Sequence, residues 1–269
     1  MSKSLGNIIS PYEVIDKHGA DTLRYYTTQT NAGEDLNFSW EECAMKERNL
    51  LVLWNIHKFL LTLAKETGSN PFTLKCENRL EKEEQYIFSR LHSTIKEMTN
   101  HLEKYEIDQI VMPIENLFLE MSRTYIQLVR EKCSSDDEQE KEVCLYTISN
   151  VLLETLKLFS PVAPFVTEAI YQNLKEEFKL KKESIHHYPW PTSDEKKINA
   201  QLEEEMLLAK SIIQSTLGLR EKIGRGVRWP IAEVVVESSD ERVREFVNRL
   251  SGIVKRQTNV KNLTVTERF

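Results

Sequence analysis

The feature that most constrains the fold is a series of long stretches, between residues 39 and 180, in which apolar residues recur every three or four positions. This spacing gathers apolar side chains on one face of a helix. Ser39 stands at capping-box distance from Glu42, and Ser160-Pro161 and Pro164 separate the last two stretches. We therefore predict five amphipathic helices with short connections, which is typical of an up-and-down bundle.

The predicted helices cover about 39–65, 81–104, a third that starts at about 107 or 112 and ends at 132, the acidic segment 134–142 onward to 159, and 164–180. Pro113 predicts a late start or a kink in the third of them. The positions expected to be buried are Leu50, Leu53, Trp54, His57 and Leu61, then Ile87, Leu91, Ile95, Met98 and Leu102, then Ile114, Leu117, Met121, Tyr125 and Leu128, and finally Leu145, Ile148, Leu152, Leu156 and Phe159.

Shorter elements flank the predicted bundle on both sides. Ser10-Pro11-Tyr12-Glu13 has the form of a helix start, Gly19 ends that helix, and a second short helix is predicted over 20–28. After Trp190-Pro191 we predict a helix over 200–215, a strand over 231–237, a helix from the capping segment 238–241 to near Gly252, and a strand over 262–266. The fold class is therefore mainly α, a helical bundle followed by a small α/β module.

Composition narrows the class of protein. Charged residues make up 29% and hydrophobic residues 40% of 269 residues, which indicates globular domains, two of them with a fragment of a third. No apolar run is long enough to cross a bilayer and no leader pattern is present, so we expect a cytoplasmic protein. The four cysteines are widely spaced, with no CxxC pair and no histidine at zinc spacing, which favours free thiols over a metal site.

Few sequence features suggest chemistry. No phosphate-binding Walker loop and no catalytic triad is apparent, and Gly224-Arg225-Gly226 fits a plain turn better than a phosphate loop. Most tryptophans and tyrosines lie on apolar faces, which favours the core over a base-stacking surface. The net charge of −6 argues against nucleic acid, yet residues 219–228 hold four cations, Arg220, Lys222, Arg225 and Arg228, against Glu221 alone. That segment is either a solvated helix face or a phosphate-contacting patch.

Several motifs point to one family. MSKSLGN at residues 1–7 resembles the KMSKS loop of class I aminoacyl-tRNA synthetases without its first lysine, and Gly19-Ala20-Asp21-Thr22-Leu23-Arg24 resembles their GAD-x-LR segment. Residues 33–41, 121–126, 160–168 and 227–230 are similar to further landmarks of the family, in family order, although Thr124 replaces a usual tryptophan. The wording is most similar to isoleucine-specific members, then to valine-specific and leucine-specific ones.

The resemblance implies a division of labour along the chain. Residues 1–36 would be the end of a catalytic domain, 37–190 an anticodon-binding helical bundle, and 191–269 a C-terminal α/β junction module. The intact enzyme would use ATP and Mg²⁺ to activate isoleucine and would then esterify it to tRNA. Met1, Ser2, Lys3 and Ser4 would form the ATP loop, in which Lys3 is the catalytic residue that meets charge developing on the phosphates. A fragment starting here is expected to be inactive and monomeric.

The resemblance also implies tRNA as the partner of the remaining chain. An anticodon loop is read through exposed base edges and stacking, while phosphate contacts add salt-dependent affinity. Our candidates for these contacts are Arg123, Arg130, Arg220, Lys222, Arg225 and Arg228, although Arg123 could instead pair with a carboxylate of the bundle. A free-standing interaction module descended from a synthetase, or a bundle without a ligand, remain alternatives.

Overall fold

The computed structural model describes residues 9–30 and 37–267. The chain divides into two compact units, with the boundary between Ile198 and Asn199. The first unit contains the helical bundle and the second contains the small parallel sheet. None of the helices in the described ranges combines the length and apolar character needed to cross a membrane.

The first unit begins with two short helices and continues as a bundle. Its helices are α1 Pro11–His18, α2 Ala20–Thr28, α3 Trp40–Thr67, α4 Lys82–Glu103, α5 Val111–Glu120, α6 Ile126–Leu128, α7 Arg130–Cys133, α8 Glu138–Phe159 and α9 Pro164–Phe178. A π-helical segment, Met121–Tyr125, joins α5 to α6, so α5 to α7 together occupy the place of the predicted third helix. The mainly helical fold class is confirmed.

Local sequence signals set the starts of the long helices. The Ser39 hydroxyl accepts a hydrogen bond from the Glu42 N–H at 3.2 Å, and Glu81 and Glu84 form a reciprocal capping box at the start of α4. Asp137 caps α8 through the Gln139 N–H at 2.8 Å. The predicted cap at Ser10 is wrong in detail, because the Ser10 side chain makes no capping bond and only Pro11 carries the start of α1.

The apolar stripes pack into one continuous core. Nearly all the predicted positions are buried, and only Trp54, Leu61 and Leu102 stay partly exposed at its edge. The α-helix begins only at Val111, after the single short turn Ile107–Gln109, which matches the late start expected from Pro113: a proline in the first turn lacks an N–H that would be unpaired there anyway. All four cysteines are buried, and none of them forms a disulfide.

The helix α2 is attached to the bundle at the turn between α8 and α9. The Asp21 carboxylate accepts hydrogen bonds from the Phe165 N–H at 3.3 Å and the Val166 N–H at 2.6 Å, at the start of α9. Arg24 donates to the carbonyls of Val162 at 3.0 Å and Pro161 at 2.8 Å. A carboxylate at a helix N-terminus is electrostatically favourable, so these two side chains hold the segment before α3 against the bundle.

The second unit is a βαβ unit preceded by a helix. Its elements are α10 Ala200–Lys222, β1 Ile231–Glu237, α11 Glu241–Arg249, α12 Ser251–Thr258 and β2 Val260–Thr266. The two strands pair in parallel, with Ile231 opposite Val260, and α11 and α12 form the crossover that parallel pairing requires. The small core includes Met206, Val247 and Val254.

Several predicted boundaries in this part of the chain differ from the structure. The helix predicted to end near Gly252 is instead α11, which ends at Arg249, followed by α12, which contains Gly252, and β2 begins at Val260 rather than at residue 262. The helix α10 continues through Gly218 to Lys222, because apolar and charged residues with good helix propensity follow that glycine. Residues 191–198 belong to the first unit, where Ser193 donates to the His92 carbonyl at 2.9 Å and the Asp194 N–H donates to His92 Nδ1 at 3.1 Å. The assignment of residues 1–36, 37–190 and 191–269 to three functional parts stays a prediction.

Candidate nucleic-acid interface

The predicted ATP loop, Met1, Ser2, Lys3 and Ser4, lies outside the described residues. The catalytic role of Lys3 therefore stays a prediction. The candidates for tRNA contact all lie within the described chain and form two groups, one on each unit.

The first group consists of Arg123 and Arg130, which are both exposed. Arg123 lies in the π-helical segment, and such segments are found frequently at functional sites. Neither arginine has a hydrogen-bonding or ion-pairing partner within residues 9–30 and 37–267. The alternative role of Arg123, a salt bridge to a bundle carboxylate, is therefore not what the structure shows, and its guanidinium is available to a ligand.

A buried polar network lies behind this part of the third helix. Lys132 Nζ lies 3.2 Å from both carboxylate oxygens of Glu84 and 2.8 Å from Glu81 Oε2, and the Tyr125 hydroxyl donates to Glu84 at 3.4 Å. Burial raises the pKa of the Glu84 carboxyl, and the Lys132 ammonium acts in the opposite direction. The network ties α4 to the segment that carries Arg123, so the arginine stands on a fixed backbone.

The same network contains the set of residues best placed to hold a metal in the described part of the chain. The carboxylates of Glu81, Glu83 and Glu84 converge within 4.8 Å of one another. Lys132 Nζ already lies among them, 4.0 Å from Glu83 and closer to the other two. The ammonium supplies the positive charge that these carboxylates need, which fits a structural ion cluster rather than a metal site.

The second group lies where α10 ends, and one of its members is not at the surface. Arg220 is only 2% exposed. Its guanidinium donates to the carbonyls of Thr258 at 3.2 Å, Gly226 at 2.7 Å and Trp229, which joins α12 to the residues after α10. A guanidinium in this position serves as a structural clamp. We therefore leave Arg220 out of the proposed RNA-contacting set.

The other three cations of this segment are exposed. Lys222 ends α10, and Arg225 and Arg228 lie in the following loop of residues 223–230, which we call the α10–β1 loop. The loop turns at Gly224, whose φ of +66° is unfavourable for other residues, so the Gly-Arg-Gly triplet is a turn, as the sequence favours. Three exposed positive charges on one short turn form a surface suited to phosphates.

Trp229 is the residue of this surface that the sequence interpretation missed. It is 56% exposed, and the Arg228 guanidinium lies 5.6 Å from its ring centroid. The other tryptophans, Trp40, Trp54 and Trp190, pack against hydrophobic clusters. A usable signal was present, because Trp229 lies in a stretch of cations and glycines and not on an apolar helical face.

Two protein-family models match this chain. The model of the anticodon-binding domain of tRNA ligase matches residues 84–236, more than half of the chain. The model of class I tRNA synthetases for isoleucine, leucine, methionine and valine matches residues 1–39.

Full-length relatives agree with the two family models. The isoleucine–tRNA ligases of Natronomonas pharaonis and Archaeoglobus fulgidus are both 35% identical to this chain, over 99% and 100% of it. That of Thermococcus kodakarensis is 36% identical over 98% of the chain. The chain spans only 25%, 26% and 25% of these three relatives respectively.

A solved structure shares the fold. It is the ternary complex of the Agrobacterium radiobacter K84 agnB2 LeuRS with tRNA and LeuAMS, which has a TM-score of 0.55 and 19% identity and covers 74% of this chain and 23% of its own. The helical bundle, the two family models and the relatives agree. The chain therefore belongs to the anticodon-binding domain family of tRNA ligases.

Proposed function

We propose that this chain is the tRNA-binding part of an isoleucine–tRNA ligase. The observation that carries the proposal is the pair of exposed cationic surfaces, Arg123 with Arg130 and Lys222 with Arg225 and Arg228, on a chain of the anticodon-binding family. Neutralising phosphates with such side chains releases counterions, which gives affinity that falls steeply with salt. The net charge of −6 is compatible with this because the cations are concentrated locally.

The proposed parent enzyme would activate isoleucine with ATP and Mg²⁺ and then transfer it to tRNA, in the cytoplasm. Lys3 would meet the negative charge that builds on the phosphates as the isoleucine carboxylate attacks, and such stabilisation acts in the transition state. The rest of the catalytic site would come from parts of the parent enzyme other than this chain. We therefore expect this chain alone to bind tRNA and to form no adenylate.

Fluorescence anisotropy with labelled isoleucine tRNA tests the proposal. We expect the full chain to bind it more tightly than the same tRNA with a changed anticodon, and to bind both more weakly as salt rises. Replacing Lys222, Arg225 and Arg228 together with glutamine should lower the slope of log K against log salt by about one per lost phosphate contact.

A matched control is available within the same unit. Arg242 is an exposed arginine, 81% accessible, whose guanidinium already lies 3.5 Å from the Asp240 carboxylate. Arg242→Gln should therefore leave tRNA affinity unchanged. The proposal fails if the chain binds no tRNA, or if the triple variant binds as tightly as the unaltered chain.

A further inference from the structure

An apolar strip follows the end of α10 and leads into the α10–β1 loop. Leu219 is 62% exposed, Ile223 70%, Val227 44% and Trp229 56%. Large exposed apolar side chains at such density indicate a contact surface. The charges around the strip indicate which kind of partner covers it.

The loop backbone beneath Trp229 is fixed from several sides. Arg220 donates to the carbonyls of Gly226 and Trp229, the Trp229 N–H donates to the Gly226 carbonyl at 3.1 Å, and Asn259 Nδ2 donates to the Val227 carbonyl at 2.8 Å. The indole therefore projects from a backbone that needs little further ordering. A ligand that contacts it loses less conformational entropy than one that must first order a free loop.

Positive charges predominate in the segment that carries the indole, in which Glu221 is the only acidic residue. Lys222, Arg225 and Arg228 are exposed, and the Arg228 guanidinium faces the Trp229 ring. An exposed aromatic ring on a cation-rich loop is a combination with which proteins hold single-stranded nucleic acid, because the ring stacks on a base and the cations hold the adjoining phosphates. A neutral protein surface would offer no negative charge to pair with these three cations.

We propose that Trp229 is a stacking platform for an unpaired base of the bound tRNA, with Arg225 and Arg228 on the flanking phosphates. This inference rests on the proposed function and deepens it, because it names a residue and a mode of contact that phosphate attraction alone does not supply. It assigns the α10–β1 loop to a single-stranded segment of the tRNA and not to its duplex stem, in which stacked bases present no free face.

Three substitutions at one position separate stacking from other contacts. Trp229→Ala should weaken binding of labelled isoleucine tRNA by roughly 5- to 150-fold, the effect of removing one stacked base. Trp229→Leu should weaken it nearly as much, because leucine keeps apolar area without a ring face, whereas Trp229→Phe should keep most of the affinity. The slope of log K against log salt should stay the same in all three, because the cations remain.

Two controls accompany these variants. Leu207 lies on α10 and is 58% exposed, so Leu207→Ala tests whether loss of any exposed apolar side chain in this unit has the same effect. Thermal unfolding should be nearly unchanged in Trp229→Ala, because Arg220 bonds to the backbone carbonyl of Trp229 and not to its ring.

The outcomes distinguish this inference from the proposal on which it rests. If the cation variant weakens binding but Trp229→Ala binds within twofold of the unaltered chain, the stacking inference is wrong and the tRNA-binding function stands. If Trp229→Leu binds as well as the unaltered chain, the strip is an apolar contact and the inference is again wrong. If the chain binds no tRNA under any condition, both fail together.

Discussion

Replacing Arg220 with alanine should destabilise the second unit while leaving its exposed cations in place. The guanidinium makes three hydrogen bonds to backbone carbonyls, those of Thr258, Gly226 and Trp229. A hydrogen bond from a charged donor is worth about 1.5 kcal/mol net or more, so the loss of three is about 4.5 kcal/mol. Relief of the desolvation of a buried charge reduces this figure, and the cavity left by the side chain increases it.

The conservative substitution Arg220→Lys should destabilise the second unit less than Arg220→Ala does. Arg220→Lys keeps the charge but not the planar fork, so it should lose two of the three bonds and cost about 3 kcal/mol. Arg225→Ala and Arg228→Ala remove exposed side chains and should change the free energy of unfolding by less than about 0.5 kcal/mol. Arg220 should therefore affect the stability of the second unit, whereas Arg225 and Arg228 should affect tRNA binding.

The free energy of unfolding of the second unit can be measured by urea unfolding combined with hydrogen exchange. Exchange on peptides from residues 199–267 reports the second unit independently of the bundle. Arg220→Ala should raise exchange in α12 and in the α10–β1 loop before the rest of the unit. The reasoning is refuted if Arg220→Ala leaves unfolding of the second unit unchanged and weakens tRNA binding as Arg225→Ala does. In that case Arg220 would contact RNA.

Three further predictions concern the first unit. Burial lowers the pKa of both His57 and His92 below 6.5, so the unfolded chain binds more protons than the folded chain below that pH. The free energy of unfolding should therefore fall as pH drops from about 7 to about 5. The double variant His57→Asn with His92→Asn should flatten this slope, and a slope that persists in the variant would contradict the prediction. Asp21→Ala removes two N–H acceptors at the start of α9 and should cost about 1–2 kcal/mol in urea unfolding, with an unchanged midpoint as the contrary result. Ser39→Ala should cost about 1 kcal/mol and Ser39→Gly only a few tenths, whereas equal losses would argue against the cap.

Hydrogen bonding gives the histidine prediction a second basis. His92 Nδ1 accepts a hydrogen bond from the Asp194 N–H at 3.1 Å, so this ring nitrogen carries no proton. Protonation there would break one of the bonds that hold residues 191–198 to α4. The same pH titration followed by exchange at Asp194 should therefore show local opening before global unfolding.

The bundle illustrates how much of a fold periodicity can predict. Apolar positions three and four apart identified the core faces of the long helices, and capping residues such as Ser39 identified their starts, because both signals depend only on neighbours along the chain. The strand 231–237 was predicted for the same reason, from a run of β-branched residues. The π-helical segment Met121–Tyr125 was not, because its extra residue per turn leaves no local signature.

The candidate site was predicted less completely. The cation-rich segment 219–228 was identified from composition, and Lys222, Arg225 and Arg228 are at the surface. Arg220, which was expected to contact phosphates, is buried, and Trp229, which was not among the candidates, is exposed. The burial of Arg220 depends on its hydrogen bond to the Thr258 carbonyl of α12, which its sequence neighbours do not indicate.

The sequence by itself determined the helical class, the order of the long helices, where they start and the family resemblance, because each depends on short-range pattern or on motif wording. Tertiary structure alone decided that Asp21 and Arg24 hold α2 to the turn between α8 and α9, that Lys132 supplies the charge for three convergent carboxylates, and that Arg220 fixes the loop that displays Trp229. The physical reason is common to all three. A charged side chain becomes structural when distant parts of the chain bring it acceptors and exclude water, and neither event is written in its neighbours.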